Sequence, residues 1–279
     1  MMKLIVAVSG GVDSVVLLDK LVASREHELI VAHFDHGIRA DSAADARFVG
    51  ELAQSYGLVY ETKREELGEK AGELIARERR YAFLGYLAED YDAKIVTAHH
   101  QDDVFETIAI NLVRGTNWRG LAVFGDNSEV LRPQLGSTKQ EIYDYATKNN
   151  LEWVEDETNQ TDKYLRNRLR RKLDTYPADK KETLLGAWRS QLELRRVIEQ
   201  EVGAFISPED EEYSRYLFIN IDDTVALELL RSATSLAITY PQAERGLLAI
   251  KTYPAGTSFQ LGGGVELGFK LRTFTVKTL

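Results

Sequence analysis

The sequence contains no cysteine among its 279 residues, and this absence excludes several kinds of chemistry. A chain without thiols forms no disulfide, has no thiolate nucleophile, and holds neither a cysteine-ligated iron–sulfur cluster nor a persulfide sulfur carrier. Histidine is scarce as well, and the five histidines of the chain do not have the spacing of zinc ligands. A structural zinc site is therefore not expected.

Long apolar runs are also missing. No apolar stretch approaches the length that spans a bilayer, and no basic-then-apolar leader precedes the first predicted strand. We therefore expect a soluble, cytoplasmic protein with no membrane partner. The net charge of −9 argues, taken alone, against nucleic acid as a partner, but the charge is uneven and leaves room for a local RNA-binding patch.

The first part of the chain combines a strand, a glycine turn and a helix. Leu4 to Val8 is a continuous apolar run typical of a buried parallel strand, and Val15 to Leu21 has the apolar spacing of a helix. The turn between them reads Ser9-Gly10-Gly11-Val12-Asp13-Ser14. Such a turn presents free backbone N–H groups and the positive end of the helix dipole, which together attract phosphate.

Asp13 is the unusual member of this turn, because a carboxylate repels phosphate. We expect it either to hold a magnesium ion between itself and the phosphates or to brace the loop. No lysine follows the glycines, so the turn is not a Walker motif, and it does not match Gly-x-Gly-x-x-Gly either. A purely structural tight turn is the alternative interpretation.

A second predicted strand, Leu29 to Phe34, ends in a polar stretch that includes His33, Asp35 and His36. In an open parallel sheet, ligands bind at the carboxyl ends of the strands. We therefore expect this stretch beside the phosphate turn, where backbone groups read adenine and polar side chains such as Asp35 reach ribose or metal. For the two histidines, local hydrogen bonding is an equally good explanation.

The strand predicted at Lys94 to Ala98 leads into a second polar cluster, which runs from His99 to Thr107. Asp103 and Glu106 are three residues apart and therefore share one helix face. Two carboxylates near a phosphate site indicate metal binding or capture of a cationic substrate, and His99 is expected to approach Asp103 across the first turn. The alternative is that Asp102 or Asp103 caps the helix.

Basic residues are concentrated in two places. A predicted helix, Glu73 to Asp90, carries three arginines in four positions, so at most one or two of them point into a site. They are Arg77, Arg79 and Arg80. The segment from Lys163 to Lys172 has six basic residues and no acid, and we expect it to contact the RNA backbone. Its alternatives are a solvated helix and an intramolecular partner for the acids just before it.

The patterns divide the chain into three predicted parts. Residues 1–173 alternate strands and helices and form an α/β catalytic domain, residues 174–208 form a helical linker or subdomain, and residues 209–279 form a small α+β domain. The last part shows no catalytic constellation. We therefore interpret it as a recognition or stability module.

Several blocks in about the first 170 residues, taken in order, resemble the tRNA(Ile)-lysidine synthetase family of the pyrophosphate-loop ATPase superfamily. The blocks stand at 9–14, 33–39, 76–83, 98–107, 114–121 and 131–133, with Glu-Asp-Glu-Thr-Asn and Tyr-Leu-Arg-Asn-Arg between 155 and 168. The first block indicates only the superfamily, whereas the histidine–aspartate block and the last pair are far more specific. The resemblance implies a doubly wound, mostly parallel sheet of the adenine nucleotide alpha-hydrolase type, followed by a smaller α+β region.

The resemblance also implies an ATP-dependent ligase that acts in two steps. ATP adenylates the 2-oxo oxygen of the wobble cytidine in tRNA(Ile) with a CAU anticodon, and pyrophosphate leaves. The ε-amine of free L-lysine then attacks carbon 2 of the base, and AMP leaves. The implied partners are tRNA(Ile), ATP, Mg²⁺ and L-lysine, and the sequence leaves a homodimer open.

The same resemblance implies roles for particular residues. ATP is expected at the turn and at the end of the second strand, with Asp13 next to magnesium. The ATP-binding residues are then Ser9, Gly10, Gly11, Val12, Asp13, Ser14 and Asp35. Asp103 and Glu106 would bind lysine, and His99 or one of these acids would accept the amine proton. Arg80 and Arg114 would offset charge that develops in the reaction. The tRNA-binding residues would be Arg166, Arg168, Arg170 and Arg171.

Three other functions remain as alternatives. A tRNA thiolase of the same superfamily needs cysteines, which this chain lacks. An ATP-dependent amidotransferase that makes a small molecule such as NAD or GMP has no need of the basic segment. A non-catalytic adenine-nucleotide-binding module would not need Asp13, Asp103 and Glu106 together. The lysidine interpretation is favoured over all three.

Overall fold

The computed structural model describes residues 1–37, 42–68, 72–125, 129–155, 169, 172–173 and 175–278. The chain forms two compact units, Met1–Leu192 and Glu193–Leu279. The division into three parts that we expect from the sequence stays a prediction. One long helix, Ala178–Phe205, contributes residues to both units.

The first unit is built on a parallel sheet of five strands: β1 (Met2–Ala7), β2 (His27–Asp35), β3 (Val59–Arg64), β4 (Lys94–Val96) and β5 (Val130–Leu131). Their order in the sheet is β3-β2-β1-β4-β5, and every neighbouring pair is parallel. The helices of this unit are α1 (Val12–Ser24), α2 (Ser42–Ser55), α3 (Glu73–Tyr91), α4 (Gln101–Val113), α5 (Lys139–Lys148) and α6 (Ala178–Phe205). A short 3-10 helix covers Trp118–Gly120.

The sheet is covered on both faces, which explains the unbroken apolar run in β1. Successive side chains of a strand point to opposite faces. Leu4 and Val6 pack in one cluster with residues of α1 and α2, whereas Ile5 packs in another with Phe83 and Leu84 of α3. This arrangement confirms the predicted doubly wound α/β class.

The strand order places a crevice between β1 and β4. The chain runs outward from β1 to β2 and β3 on one side, and then crosses to β4 and β5 on the other. In doubly wound folds, ligands bind at the carboxyl end of the sheet where this reversal occurs. The glycine turn follows β1 and the histidine–aspartate cluster follows β4, so both lie at this point of the sheet.

The second unit contains an antiparallel sheet in the order β6-β9-β8-β7, formed by β6 (Tyr213–Ser214), β7 (Ser258–Gly262), β8 (Val265–Phe269) and β9 (Thr273–Thr278). Its helices are α7 (Arg215–Asn220), α8 (Asp223–Ala233) and α9 (Tyr240–Thr252). Phe218, Leu230 and Phe274 are fully buried in the shared core of these elements. The predicted smaller α+β region is therefore confirmed. Among the residues described, no helix is both long and apolar enough to cross a membrane.

Candidate active site

The glycine turn between β1 and α1 is held by its own two serines. Ser14 Oγ donates to the Gly11 carbonyl oxygen at 2.9 Å and accepts from the Ser9 amide at 3.2 Å. Gly10 has a φ of 93°, a conformation that favours glycine, and its carbonyl oxygen accepts from the Val154 amide at 2.9 Å. These contacts fix the backbone of the turn.

The helix that follows the turn begins without a side-chain cap. Its N-cap residue is Gly11, and within the described part of the chain no side chain caps this end of α1. The first N–H groups of a helix have no partner within the helix, and the helix dipole adds positive character there. The turn therefore keeps available the groups that bind phosphate at helix N-termini.

Asp13 lies in the first turn of α1 and is contacted from two other elements. Lys139, the first residue of α5, places its Nζ 2.6 Å from Asp13 Oδ1, and His100 Nε2 lies 3.8 Å from the same oxygen. Gln134 Nε2 donates to the Asp13 carbonyl oxygen at 3.1 Å. The Lys139 ammonium thus balances the charge that would otherwise repel phosphate.

The described side chains at this turn do not form a site for a permanently bound metal ion. They are better suited to a metal ion that binds together with a nucleotide. Across the described residues, no group of three or more histidine and carboxylate side chains is arranged to hold a metal ion. Magnesium, however, often binds through one or two carboxylates together with substrate phosphates. Asp13 is suitably placed to be such a carboxylate.

The fourth helix begins with a capping box around His100. The His100 Nδ1 accepts from the Asp102 amide at 3.3 Å, and Asp103 Oδ2 accepts from the His100 amide at 2.9 Å. Asp103 therefore caps α4, which is the alternative that the sequence left open. Its side chain also stays 15% exposed, whereas Glu106, one turn further along, is completely buried.

His99 lies between the end of β4 and the start of α4. Its Nδ1 is 2.8 Å from Thr97 Oγ1, and its ring packs against Phe124 with the centroids 5.0 Å apart. Burial lowers the pKa of His99 to about 3. The Asp103 carboxylate opposes this shift and raises the pKa of His99. The direct contact expected between His99 and Asp103 stays a prediction.

Positive charge around His99 reinforces its low pKa. The contributing guanidinium groups are those of Arg77, Arg132 and Arg80. The remaining arginine of this group on α3, Arg79, forms an ion pair with Glu65 instead, with its Nε 3.5 Å from Glu65 Oε1. His99 is therefore neutral at pH 7 and is a weak proton acceptor, surrounded by cations that suit phosphate.

Asp35 ends β2 and is buried, with a partner for each oxygen. Oδ1 accepts from the Gly37 amide at 2.9 Å, and Oδ2 accepts from Arg64 Nη1 at 3.1 Å. Burial alone would raise the pKa of Asp35, but these hydrogen bonds outweigh it and lower the pKa below its usual value. His33 Nδ1 lies 2.8 Å from the Val8 carbonyl oxygen. Both side chains stabilise the backbone at the carboxyl end of the sheet. The ATP-binding role of Asp35 stays a prediction.

Some predicted site residues are not brought to the crevice. Arg114 is the exposed C-cap of α4, at the opposite end of this 13-residue helix from His100. At about 1.5 Å per residue the separation is roughly 20 Å, so the geometry gives no support to a catalytic role for Arg114. The predicted tRNA-binding residues lie outside the described part of the chain; they are Arg166, Arg168, Arg170 and Arg171.

The structure adds residues that the sequence analysis missed. Arg132, Gln134 and Lys139 all follow β5, and all three reach the groups described above. The sequence does show the capping box that opens α5, in which Thr138 Oγ1 accepts from the Glu141 amide at 3.2 Å. No local pattern, however, connects Lys139 with an aspartate 126 residues earlier.

Comparison with known proteins identifies the class to which this site belongs. Residues 1–175 match the family model for the PP-loop domain of ATP-binding proteins, which is more than half of the chain. The chain therefore belongs to the PP-loop domain family. This match confirms the predicted membership of the pyrophosphate-loop superfamily.

Among curated proteins, the chain is similar to the tRNA(Ile)-lysidine synthase of Enterococcus faecalis, with 42% identity over 178 residues, which cover 60% of this chain and 38% of that protein. It is also similar to the tRNA(Ile)-lysidine synthase of Thermotoga maritima, with 39% identity over 180 residues, which cover 61% of this chain and 44% of that protein. The chain thus spans about two fifths of the length of these relatives. The resemblance inferred from the motifs is confirmed.

Among solved structures, the chain is similar to the U34-tRNA thiolase NcsA from Methanococcus maripaludis with its 4Fe-4S cluster. The TM-score is 0.56 at 17% identity, and the match covers 69% of this chain and 72% of that chain. At such low identity the likeness concerns the fold alone. It supports the doubly wound assignment of the first unit.

Proposed function

We propose that this chain catalyses the formation of lysidine in tRNA(Ile) with a CAU anticodon, using ATP and free L-lysine. The observation that carries the proposal is the meeting of two motifs at one crevice. The uncapped turn after β1 meets the polar cluster after β4 where His100 Nε2 lies 3.8 Å from Asp13 Oδ1, in a chain whose curated relatives are named tRNA(Ile)-lysidine synthase. Those names favour this function over a small-molecule amidotransferase. The compartment proposed is the cytoplasm.

The first proposed step forms a bond between the cytidine 2-oxo oxygen and the α-phosphorus of ATP. The bond from that phosphorus to the bridging oxygen breaks, and pyrophosphate leaves. The amides at the start of α1 and the Ser9 and Ser14 hydroxyls would hold the departing phosphates. The guanidinium groups around His99, Arg80 among them, would offset charge on the adenylated base.

Magnesium is proposed as a companion of ATP, bound through Asp13 and the phosphates. When bound, the ion supplies charge neutralisation at the phosphates. The residues that hold Asp13 in place are Lys139, His100 and Gln134. Lys139 and His100 contact the carboxylate itself, whereas Gln134 holds the backbone of the same residue.

In the second proposed step, the lysine ε-nitrogen bonds to carbon 2 of the base while the bond to the adenylate oxygen breaks and AMP leaves. The ε-amine has a free pKa of about 10.4, so a proton must be removed before attack. Asp103 is a partly exposed carboxylate at the start of α4 and is proposed to receive the ammonium group, together with the buried Glu106 one turn further along the helix. The proton acceptor is proposed to be one of these two acids or His99, of which His99 is the weaker candidate because burial lowers its pKa to about 3.

The wobble base must leave its stack to reach this crevice, at a cost of a few kcal/mol. The basic segment at 163–172 is proposed to hold the RNA backbone that makes this possible. Arg114, far from the turn along α4, is better placed for such an RNA contact than for phosphate chemistry.

A direct assay tests the proposal. The chain is incubated with Mg-ATP, labelled lysine and a CAU-anticodon tRNA(Ile), and the digested nucleosides are measured by mass spectrometry. We expect a lysine-bearing cytidine that forms only with ATP and that is lost in Asp13→Ala. Methionine tRNA with the same anticodon serves as the matched substrate control. If ATP is turned over but this product does not form, lysine or the tRNA is not a substrate. The proposal that the glycine turn binds the phosphates of ATP would then still stand.

A further inference from the structure

The phosphate turn has no cation within its own sequence. The hexamer at 9–14 contains no lysine or arginine, and its charged member, Asp13, is negative. A site that binds a triphosphate gains from a positive side chain, because the phosphates carry several negative charges. The cation must therefore come from elsewhere in the fold.

Lys139 reaches the turn from α5. Its Nζ lies 2.6 Å from Asp13 Oδ1, and the two side chains are 33% and 31% exposed, so the pair lies at the surface of the crevice and not behind it. The ammonium group also lies 5.1 Å from the centroid of the Tyr143 ring. Both neighbours limit the movement of a long, flexible side chain.

The position of Lys139 is set by the packing of α5 along α1. Val12 and Val16 of α1 pack against Ile142 and Ala146 of α5 in a small buried cluster. One polar contact lies at each end of this cluster. The first joins Asp13 to Lys139, and the second joins Asp19 Oδ2 to the Tyr145 hydroxyl at 2.8 Å, six residues further along both helices. The two helices therefore run side by side in the same direction and hold Lys139 at the turn.

Lys139 has hydrogen-bonding capacity beyond this ion pair. An ammonium group has three N–H donors. Within the part of the chain that the structure describes, Lys139 Nζ donates one hydrogen bond, which goes to Asp13 Oδ1. Two donors are left for a ligand that enters the partly open crevice.

We propose that Lys139 is the phosphate-binding cation of this turn, supplied from α5 in place of a lysine within the loop, and that it contacts the phosphates that leave as pyrophosphate. The proposal rests on the proposed ATP-dependent function. Before ATP binds, Lys139 neutralises Asp13 and so removes the repulsion that the carboxylate would exert. When the phosphates enter, the remaining donors bind them and the ion pair keeps the ammonium group in place.

The test compares nucleotides that differ only in their phosphates. ATP, AMP and inorganic pyrophosphate are titrated into the wild-type chain and into Lys139→Met, Lys139→Arg and Lys148→Met. Lys148 is the matched control, because it is an exposed lysine at the other end of the same helix. Loss of a charge-assisted contact should weaken ATP and pyrophosphate binding of Lys139→Met by about tenfold to a hundredfold.

The expected pattern has three further parts. AMP binding is unchanged in Lys139→Met, ATP binding by Lys139→Arg stays within a few-fold of wild type, and Lys148→Met binds all three ligands normally. Equal losses for ATP and AMP would show that Lys139 only braces the loop, and would overturn the proposal. Normal ATP binding by Lys139→Met would overturn it too, while leaving the proposed function standing. A wild-type chain that binds no ATP would overturn both.

Discussion

Asp103 combines a structural contact with the proposed capture of lysine. Its Oδ2 accepts a hydrogen bond from the His100 amide at 2.9 Å, so removing the side chain would uncap α4 as well as remove the proposed contact with lysine. Asp103→Asn separates the two roles, because asparagine keeps an oxygen that can accept this hydrogen bond but loses the charge. We expect the KM for lysine to rise by about tenfold to a hundredfold, since hydrogen bonds to charged groups are the strong ones.

The matched control for this prediction is Asp102→Asn, one residue earlier in the same turn of α4. Both variants remove one negative charge from the helix N-terminus, so any effect of the helix dipole is shared. We expect ATP affinity to stay at the wild-type value in both variants. A normal lysine KM in Asp103→Asn would remove Asp103 from the lysine site.

His99 gives a second prediction at this scale, which concerns stability against pH. Burial lowers its pKa to about 3 in the folded chain, whereas an unfolded histidine titrates near 6.5. Between these values the unfolded chain binds a proton that the folded chain does not. Through His99, the free energy of unfolding therefore decreases as the pH falls below about 6.5, because the unfolded chain gains a proton that the folded chain does not bind.

The measurement is thermal unfolding of wild type and His99→Asn at several pH values from 7.5 to 5. We expect the midpoint of wild type to fall more over this range than the midpoint of the variant, which cannot take up the proton. Other groups also titrate, so the difference between the two curves is the quantity of interest. Parallel curves would mean that His99 titrates normally in the folded chain.

Individual site residues were predictable when the signal was local. The hexamer at 9–14 and the capping role open to Asp103 both follow from spacing within a few residues. Lys139, Gln134 and Arg132 could not be found this way, because they meet the turn and His99 only after β5 has joined the sheet. The catalytic role predicted for Arg114 stays a prediction, and a motif match alone could not show that this residue lies roughly 20 Å from His100 along α4.

At the scale of elements, α5 is the part of the fold that completes the site. Its N-terminus carries Lys139, and its middle is tied to α1 through Asp19, which accepts from both Tyr56 and Tyr145. Burial, and then the Asp19 carboxylate, raise the pKa of Tyr145 to about 12. The phenol therefore stays protonated and remains a donor throughout the working pH range.

We expect Tyr145→Phe to lower the free energy of unfolding by about 1 kcal/mol, because it removes one hydrogen bond while Tyr56 still satisfies Asp19. Tyr143→Phe is the matched control, since Tyr143 lies two residues away on α5 with its side chain partly exposed. Its loss of a hydroxyl should change the free energy by less than about 0.5 kcal/mol. Urea unfolding of the three proteins decides the matter, and equal stabilities would mean that the contact with Asp19 does not fix α5.

Element prediction succeeded where a whole segment had one strong pattern. The buried apolar run from Leu4 to Val8 predicted a strand, and the structure has β1 there. The strand expected at Lys94 to Ala98 is shorter in the structure and ends at Val96, because Thr97 and His99 turn toward each other at the sheet edge. His100 as the N-cap of α4 was also missed, since histidine is not among the usual capping residues.

For the whole molecule, the proposed function raises the question of how an acidic chain would bind an acidic polymer such as tRNA. The net charge of −9 opposes association with RNA at long range, so binding must depend on a local cluster of cations. The segment from Lys163 to Lys172 is the cluster that the sequence offers, and it lies largely outside the described residues. Counterion release from RNA makes the strength of such contacts depend on salt.

The last prediction uses this dependence on salt to count the contacts. Each phosphate neutralised by the protein changes the slope of log affinity against log salt by about 0.7 to 0.9. We expect Arg166→Gln combined with Arg168→Gln to weaken tRNA binding and to make the slope shallower by about 1 to 2, when affinity is measured by filter binding between low and moderate salt.

The control replaces Lys148 and Lys180, two exposed lysines outside the segment, with glutamine and removes the same charge. A slope that falls equally in both double variants would reflect net charge alone. An unchanged slope in the arginine variant would instead assign the segment to its alternatives, a solvated helix or a partner for the acids before it.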